Sequence, residues 1–248
     1  MLAIIGGTGM AQLECLEISH QKVVTTPYGE PSGPLTFGKI RNNTVVFLAR
    51  HGYGHTIPPH EVNYRANLWA LQSVNLTRVI AVASVGGIRP DLAPGTVVIP
   101  DQIIDYTHSR KYTYYDGKDR SVTYIDFTEP YCPLTRKRLL EAAERAGEKV
   151  LDGGVYGATQ GPRLETAAEI NRLERDGVDM VGMTGMPEAA LAKELGLCYA
   201  TMAVVANYAA GRKSSAHLIR LNEAHAVLEK TMVRVRNILE WVVTLDAD

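Results

Sequence analysis

Six short stretches of this chain carry residue types that can hold an anion or a flat polar ligand. Gly6–Gly7–Thr8–Gly9 sets a threonine hydroxyl among free backbone N–H groups, which makes an anion cradle. It fits neither a dinucleotide fingerprint nor a Walker loop, and by itself it reads equally well as a tight turn. Arg50–His51–Gly52 is followed by His55 and His60. An arginine fork beside a histidine suits phosphate, whereas the plainer reading is an arginine paired with a carboxylate. The three histidines also admit a metal, but no Cys, Asp or Glu stands at matching ligand spacing, so no metal site is expected. Ser84–Val85–Gly86–Gly87 is small enough to let a ligand approach the backbone.

Gly161–Pro162–Arg163–Leu164–Glu165–Thr166 reads as a turn entering a helix. Glu165 either favours the helix dipole or accepts hydrogen bonds from a planar ligand. In Met183–Thr184–Gly185–Met186–Pro187–Glu188, Pro187 and Glu188 suit the first turn of a helix, which leaves Thr184 for an anion. Asn207–Tyr208–Ala209 offers an amide that presents a donor and an acceptor to one flat ligand, or caps a turn.

The elements that must position these residues alternate. Strand-like runs cover Leu2–Ile5, Thr44–Ala49, Val79–Val85, Val97–Ile104, Gly153–Ala158, Met180–Met183 and Cys198–Val205. Helical segments fall near Val62–Ser73, Pro133–Ala146, Thr166–Asp176 and Glu188–Leu195. This alternation predicts an α/β core, a mixed sheet with helices around it. Leu221, Ala224, Leu228, Met232, Val235, Leu239 and Val242 recur at helical spacing and predict a long closing helix. Each of the six stretches lies at or just after a strand end, where α/β sheets build ligand sites. Asp105–Tyr131 is long, tyrosine-rich and aperiodic, which suits a functional loop or a cover over a neighbouring subunit.

The 248 residues suffice for one large domain, expected over residues 1–248. A formal net charge of −1 argues against nucleic acid or an anionic membrane as partner. Cys15, Cys132 and Cys198 are odd in number and far apart, so reduced thiols in a cytoplasm are expected rather than a disulfide framework. Residues 1–6 read as a first strand rather than a signal peptide, and no apolar run is long enough to span a bilayer.

Five blocks then appear in a recognisable order: Ile5–Gly6–Gly7–Thr8–Gly9; Leu48–Ala49–Arg50–His51–Gly52 with His55; Val62–Asn63–Tyr64–Arg65–Ala66–Asn67; Gly161–Pro162–Arg163; and Met183–Thr184 with Pro187–Glu188. Over nearly the whole chain they resemble the purine nucleoside phosphorylase and methylthioadenosine phosphorylase family. The resemblance implies a nucleoside phosphorylase fold, with a distorted, partly barrel-like mixed sheet surrounded by helices and assembled as a homotrimer. It implies a phosphate cradle at Thr8, Arg50, His51 and Thr184 helped by Ser84. Met183 would lie under the sugar and Leu164 against the substrate. The family's methylthioadenosine branch has threonine where this chain has Ala83. The 6-aminopurine enzymes carry aspartates at the positions of Asn207 and Ala209. The 6-oxopurine enzymes carry asparagine at the first of these and glutamate at the position of Glu165.

The chemistry supports that division. A 6-oxopurine presents O6 as acceptor and N1–H as donor, so Asn207 can donate and Glu165 can accept. The resemblance places Ala224 and Leu228 at a 5'-methylthio pocket, with Tyr124 of a neighbouring subunit near the site, while His225 is a candidate for a 5'-hydroxyl. The expected reaction is phosphate-dependent cleavage of 5'-methylthioinosine in nucleoside salvage, with Asn207, His51 and Glu165 as catalytic residues. Phosphate is the co-substrate, and neither a cofactor nor a metal is expected. Methylthioadenosine and inosine or guanosine are the rival substrates. A hydrolase or a non-catalytic purine-binding protein are the rival activities.

Overall fold

The computed structural model describes residues 1–117 and 121–245. Short apolar runs become the central strands. In β1 (Leu2–Gly6) every residue is buried, as expected for a strand covered on both faces. β4 (Asn43–Ala49) and β5 (Arg78–Gly87) run parallel on either side of β1. β11 (Cys198–Tyr208) pairs along the whole length of β5, also parallel, and β10 (Met180–Gly182) meets the end of β5 antiparallel. The strand β5 thus has β11 on one side and β1 followed by β10 on the other, so the sheet branches there. This branch is the distortion of the mixed sheet.

One predicted run is broken in two, and another shortens and is preceded by an additional short strand. Val97–Ile104 becomes β6 (Val97–Ile99) and β7 (Gln102–Asp105), separated by Pro100, which has no N–H for a ladder. Gly153–Ala158 is preceded by β8 (Leu151–Asp152) and shortens to β9 (Val155–Ala158), the two separated by Gly153 and Gly154, both at positive φ. The two breaks match in space. β6 pairs with β8 and β7 with β9, so both chains step together from one branch of the sheet to the other. Pro100 and the two glycines signal these breaks in the sequence.

The hairpin of β2 (Glu17–Lys22) and β3 (Leu35–Ile40), which extends the sheet beyond β4, has little apolar signal to announce it. All six residues of β2 are exposed, so it forms by pairing rather than by burial.

Helices α1 (Tyr64–Ser73), α2 (Pro133–Arg145), α3 (Ala167–Arg175), α4 (Gly185–Glu194) and α5 (Leu221–Leu245) pack around the sheet. Asn63 caps α1 by accepting from the Ala66 N–H, and Thr166 with Glu169 forms a capping box on α3. The buried stripe of α5 includes Ala224, Leu228, Met232, Val235, Leu239 and Val242 and closes the second core cluster.

Two expectations are corrected here. Cys132 and Cys198 form a disulfide, and Cys15 alone is a free thiol. The 66 residues between the pair hide the reason: Cys132 precedes α2, and its N–H bonds to Tyr199 O at the start of β11. The tyrosines of the long segment are also not uniformly exposed. Tyr114 and Tyr131 are buried in the core, and Tyr112 and Tyr124 are exposed.

Candidate active site

Because β1, β4, β5 and β11 are parallel, their C-terminal ends open at one edge of the sheet. Along β10, Met180 lies opposite Gly87 and Val181 opposite Gly86, so the strand runs back toward Ser84 and delivers Met183 and Thr184 to the same edge. One cavity there is lined by Thr8, Arg50, His51, Ser84, Leu164, Glu165, Met183, Thr184 and Asn207.

The floor is set by close packing. A Cβ on Gly7 would lie 2.5 Å from Val82 O and 2.8 Å from Arg50 Nη1, so only glycine lets the end of β1 pass here and place Thr8 at the cavity. Beneath it Arg50 is 1% exposed. Its Nε and Nη2 donate to the two carboxylate oxygens of Glu188 at 2.7 and 2.8 Å, and its Nη1 donates to Val82 O at 3.0 Å. Burial disfavours the guanidinium, but the Glu188 charge and hydrogen bonds outweigh it and leave the group firmly protonated. Tyr199 donates its hydroxyl to the same carboxylate at 2.8 Å.

This bears on two readings. The Arg50 fork is turned to Glu188 rather than wholly to a ligand, because a buried guanidinium requires a paired anion. Glu188 stands in the first turn of α4, as expected, and is buried there as the partner of Arg50. Three bonds leave two of the five guanidinium N–H groups for a ligand.

His51 lines the cavity as a neutral imidazole. Burial and then the Arg50 charge lower its pKa to about 4. Its Nδ1 lies 2.8 Å from Ile57 O, so Nδ1 carries the proton and Nε2 presents a lone pair. His55 also lines the cavity, and burial and then the His225 charge lower its pKa. Among the described residues no group of three His, Cys, Asp or Glu side chains is gathered as a metal site. Ala83 is buried in the wall beside the half-buried Ser84, whose hydroxyl is the nearer polar group in sequence. Thr184 is buried and precedes α4, with its N–H directed to the Tyr156 hydroxyl at 3.4 Å.

The planar-ligand residues line the same cavity. The pairing of β11 with β5 is irregular between Val205 and Asn207, a bulge that re-aims Asn207 at the cavity. The Asn207 amide donates one N–H to Tyr208 O at 2.7 Å, which fixes its orientation and leaves a second N–H and Oδ1. Glu165 accepts the Thr159 hydroxyl at 2.6 Å through Oε1, which leaves Oε2. Ala209 and Val181 supply apolar wall between them.

Of the residues expected at the 5'-methylthio pocket, Ala224 and Leu228 are not part of this lining. Ala224 and Leu228 face the sheet inside the second core cluster, because the buried stripe of α5 is the face that packs. Ile219, just before α5, lines the cavity instead. Tyr124, expected at a neighbouring subunit's site rather than at this one, is 92% exposed. His55, Pro59 and Ile219 also line the cavity. Of these, His55 was visible as a member of the histidine group, whereas nothing local marks Pro59 or Ile219.

Known proteins resemble this chain along most of its length. Residues 1–244 match the model of the Phosphorylase superfamily. The chain is 54% identical to the probable S-methyl-5'-thioinosine phosphorylase of Xanthomonas campestris, over 85% of this chain and 84% of the relative. It is 49% identical to the protein of the same description from Pseudomonas syringae, over 98% of each. Identity is 50% to the 6-oxopurine nucleoside phosphorylase of Pyrococcus furiosus, over 85% of this chain and 80% of the relative. The structure of methylthioadenosine phosphorylase from Schistosoma mansoni with adenine superposes with a TM-score of 0.94 at 34% identity, covering 99% of this chain and 91% of that one. A parallel-strand edge that gathers three hydroxyls, a neutral histidine, a carboxylate and an amide, in a chain matched over residues 1–244, identifies this protein as a member of the Phosphorylase superfamily.

Proposed function

We propose that this protein is a nucleoside phosphorylase, a pentosyltransferase that cleaves S-methyl-5'-thioinosine with inorganic phosphate to hypoxanthine and 5-methylthioribose 1-phosphate. The observation that carries the reading is that Asn207 and Glu165 line the same cavity as Thr8, His51, Ser84 and Thr184. The relatives named for methylthioinosine and for 6-oxopurines support the base assignment.

In this reading phosphate occupies the floor. The hydroxyls of Thr8, Ser84 and Thr184 donate to it, and His51 Nε2 accepts its O–H. Met183 lies under the sugar. As the glycosidic bond lengthens, negative charge gathers on the purine, where the free Asn207 N–H stabilises it while Glu165 accepts from N1–H. Phosphate attacks the anomeric carbon from the opposite face, its electron pair forms the new C–O bond, and the C–N pair leaves with the base. Catalysis is positioning and electrostatic stabilisation. No metal or organic cofactor enters. The same reading includes a homotrimer in which the exposed Tyr124 segment approaches a neighbour's site.

Inosine or guanosine is the rival substrate. The proximity of His225 to His55 at the cavity favours it, since an imidazole there can meet a 5'-hydroxyl. The decisive experiment measures release of free base from methylthioinosine, methylthioadenosine and inosine, with and without phosphate. The reading expects phosphate dependence and fastest turnover of methylthioinosine. Cleavage without phosphate, or faster cleavage of methylthioadenosine, overturns it.

A further inference from the structure

Arg110 comes from the aperiodic tyrosine-rich segment, yet its side chain is buried behind the cavity wall. Its guanidinium holds two turns at once. Nη1 donates to Met183 O at 2.8 Å and Met186 O at 2.6 Å, within the turn that carries Met183 and Thr184. Nη2 donates to Gln160 O at 2.7 Å and Thr159 O at 3.3 Å, in the turn that leads to Leu164 and Glu165. Nε donates to the Gln160 side-chain oxygen at 3.1 Å. Nη1 also lies 3.4 Å from the Tyr64 hydroxyl, which itself donates to the carbonyl of Pro59, a third piece of cavity wall.

All these acceptors are neutral oxygens. Arg50 spends its charge on Glu188, whereas Arg110 has no carboxylate partner among the described residues. Only a planar fork can serve carbonyls on two separate turns, which an ammonium cannot span.

We propose that Arg110 is a positioning residue that sets the base subsite and the phosphate subsite in one fixed geometry. Its unneutralised charge raises the potential at the wall where phosphate and the departing purine are negative. The proposal rests on the phosphorylase reading for what fills the two subsites, and direct binding separates the two claims.

The test compares wild type with Arg110→Lys and Arg110→Gln. Melting and circular dichroism establish the folded state, steady-state kinetics give KM for nucleoside and for phosphate, and equilibrium dialysis gives the affinity for hypoxanthine and for inorganic phosphate. Displacing reacting groups by about 1 Å costs about 100-fold in rate, so kcat/KM should fall by about that factor in folded Arg110→Lys. Both KM values should rise together, and both dialysis affinities should weaken. Arg110→Gln should be worse than Arg110→Lys for phosphate because it lacks the charge. A folded Arg110→Lys that loses melting temperature but keeps both KM values within about twofold overturns the proposal, a factor too small for a displaced subsite. So does an effect confined to one subsite, or failure of both variants to fold. If wild type turns over no nucleoside while both dialysis affinities still drop in the variants, the reaction assignment fails and the positioning role stands.

Discussion

Arg50 and Glu188 form a two-point ion pair at 2.7 and 2.8 Å, with each side chain 1% exposed, beside the cavity that Arg50 lines. The pair joins the end of β4 to α4 and so fixes His51 and Thr184 relative to one another. Removing one partner strands a charge out of water, at a cost of about 3–5 kcal/mol. Glu188→Ala should therefore lower stability by about that amount in urea unfolding. A loss below about 1 kcal/mol, the scale of exposed pairs, means the pair is dispensable.

Asn207→Asp tests the base assignment. The N–H that Asn207 gives to Tyr208 O would become a carboxylate oxygen facing a carbonyl, so the new side chain must turn away or take up a proton. A mismatched buried polar group costs about 1–3 kcal/mol. The ratio of kcat/KM for methylthioinosine over methylthioadenosine should drop by about 10- to 100-fold. An unchanged ratio means residue 207 does not read the base.

Loss of the Thr184 or Thr8 hydroxyl should act on phosphate alone. A hydrogen bond to a charged group is worth about 1.5–3 kcal/mol, so each alanine variant should raise KM for phosphate by about 10- to 100-fold. Nucleoside KM at saturating phosphate should move little. Equal effects on both substrates would assign these hydroxyls to the cavity wall in general.

His51 gives a pH signature with a definite sign. In the fold its pKa is about 4 against an ordinary 6.5, with burial the first cause and Arg50 the second. Between those values the unfolded chain binds the proton and the folded chain does not. The stability contribution is therefore intact above about pH 6.5 and falls as the pH drops toward about 4, by on the order of 3 kcal/mol. Urea midpoints of wild type should decline across this window more steeply than those of His51→Asn. Parallel declines in the two proteins would remove His51 as the source. In kinetics, no loss of kcat/KM from His51 should occur until about pH 5, because the neutral form persists to that point.

How much was legible beforehand follows from which interactions are local. The positions of Thr8, Ser84, Met183, Thr184, Leu164, Glu165 and Asn207 at one cavity followed from glycine-rich turns after apolar runs, since strand ends in such sheets converge. The long closing helix followed from its periodicity, but its role did not. Ala224 and Leu228 share one stripe, and a stripe shows which residues point together without showing what they meet.

The sequence alone determined the alternation of elements and the strand-end positions of the cavity hydroxyls and of the amide at position 207, because each is set by residue type and by neighbours a few positions away. The tertiary structure alone decided that the Arg50 fork is answered by Glu188, that Cys132 meets Cys198, that a bulge turns Asn207 inward and that Arg110 ties two turns together. Each of these joins segments through long-range packing, where burial in a low-dielectric interior forces every charge and polar group to find a partner and no local pattern says which.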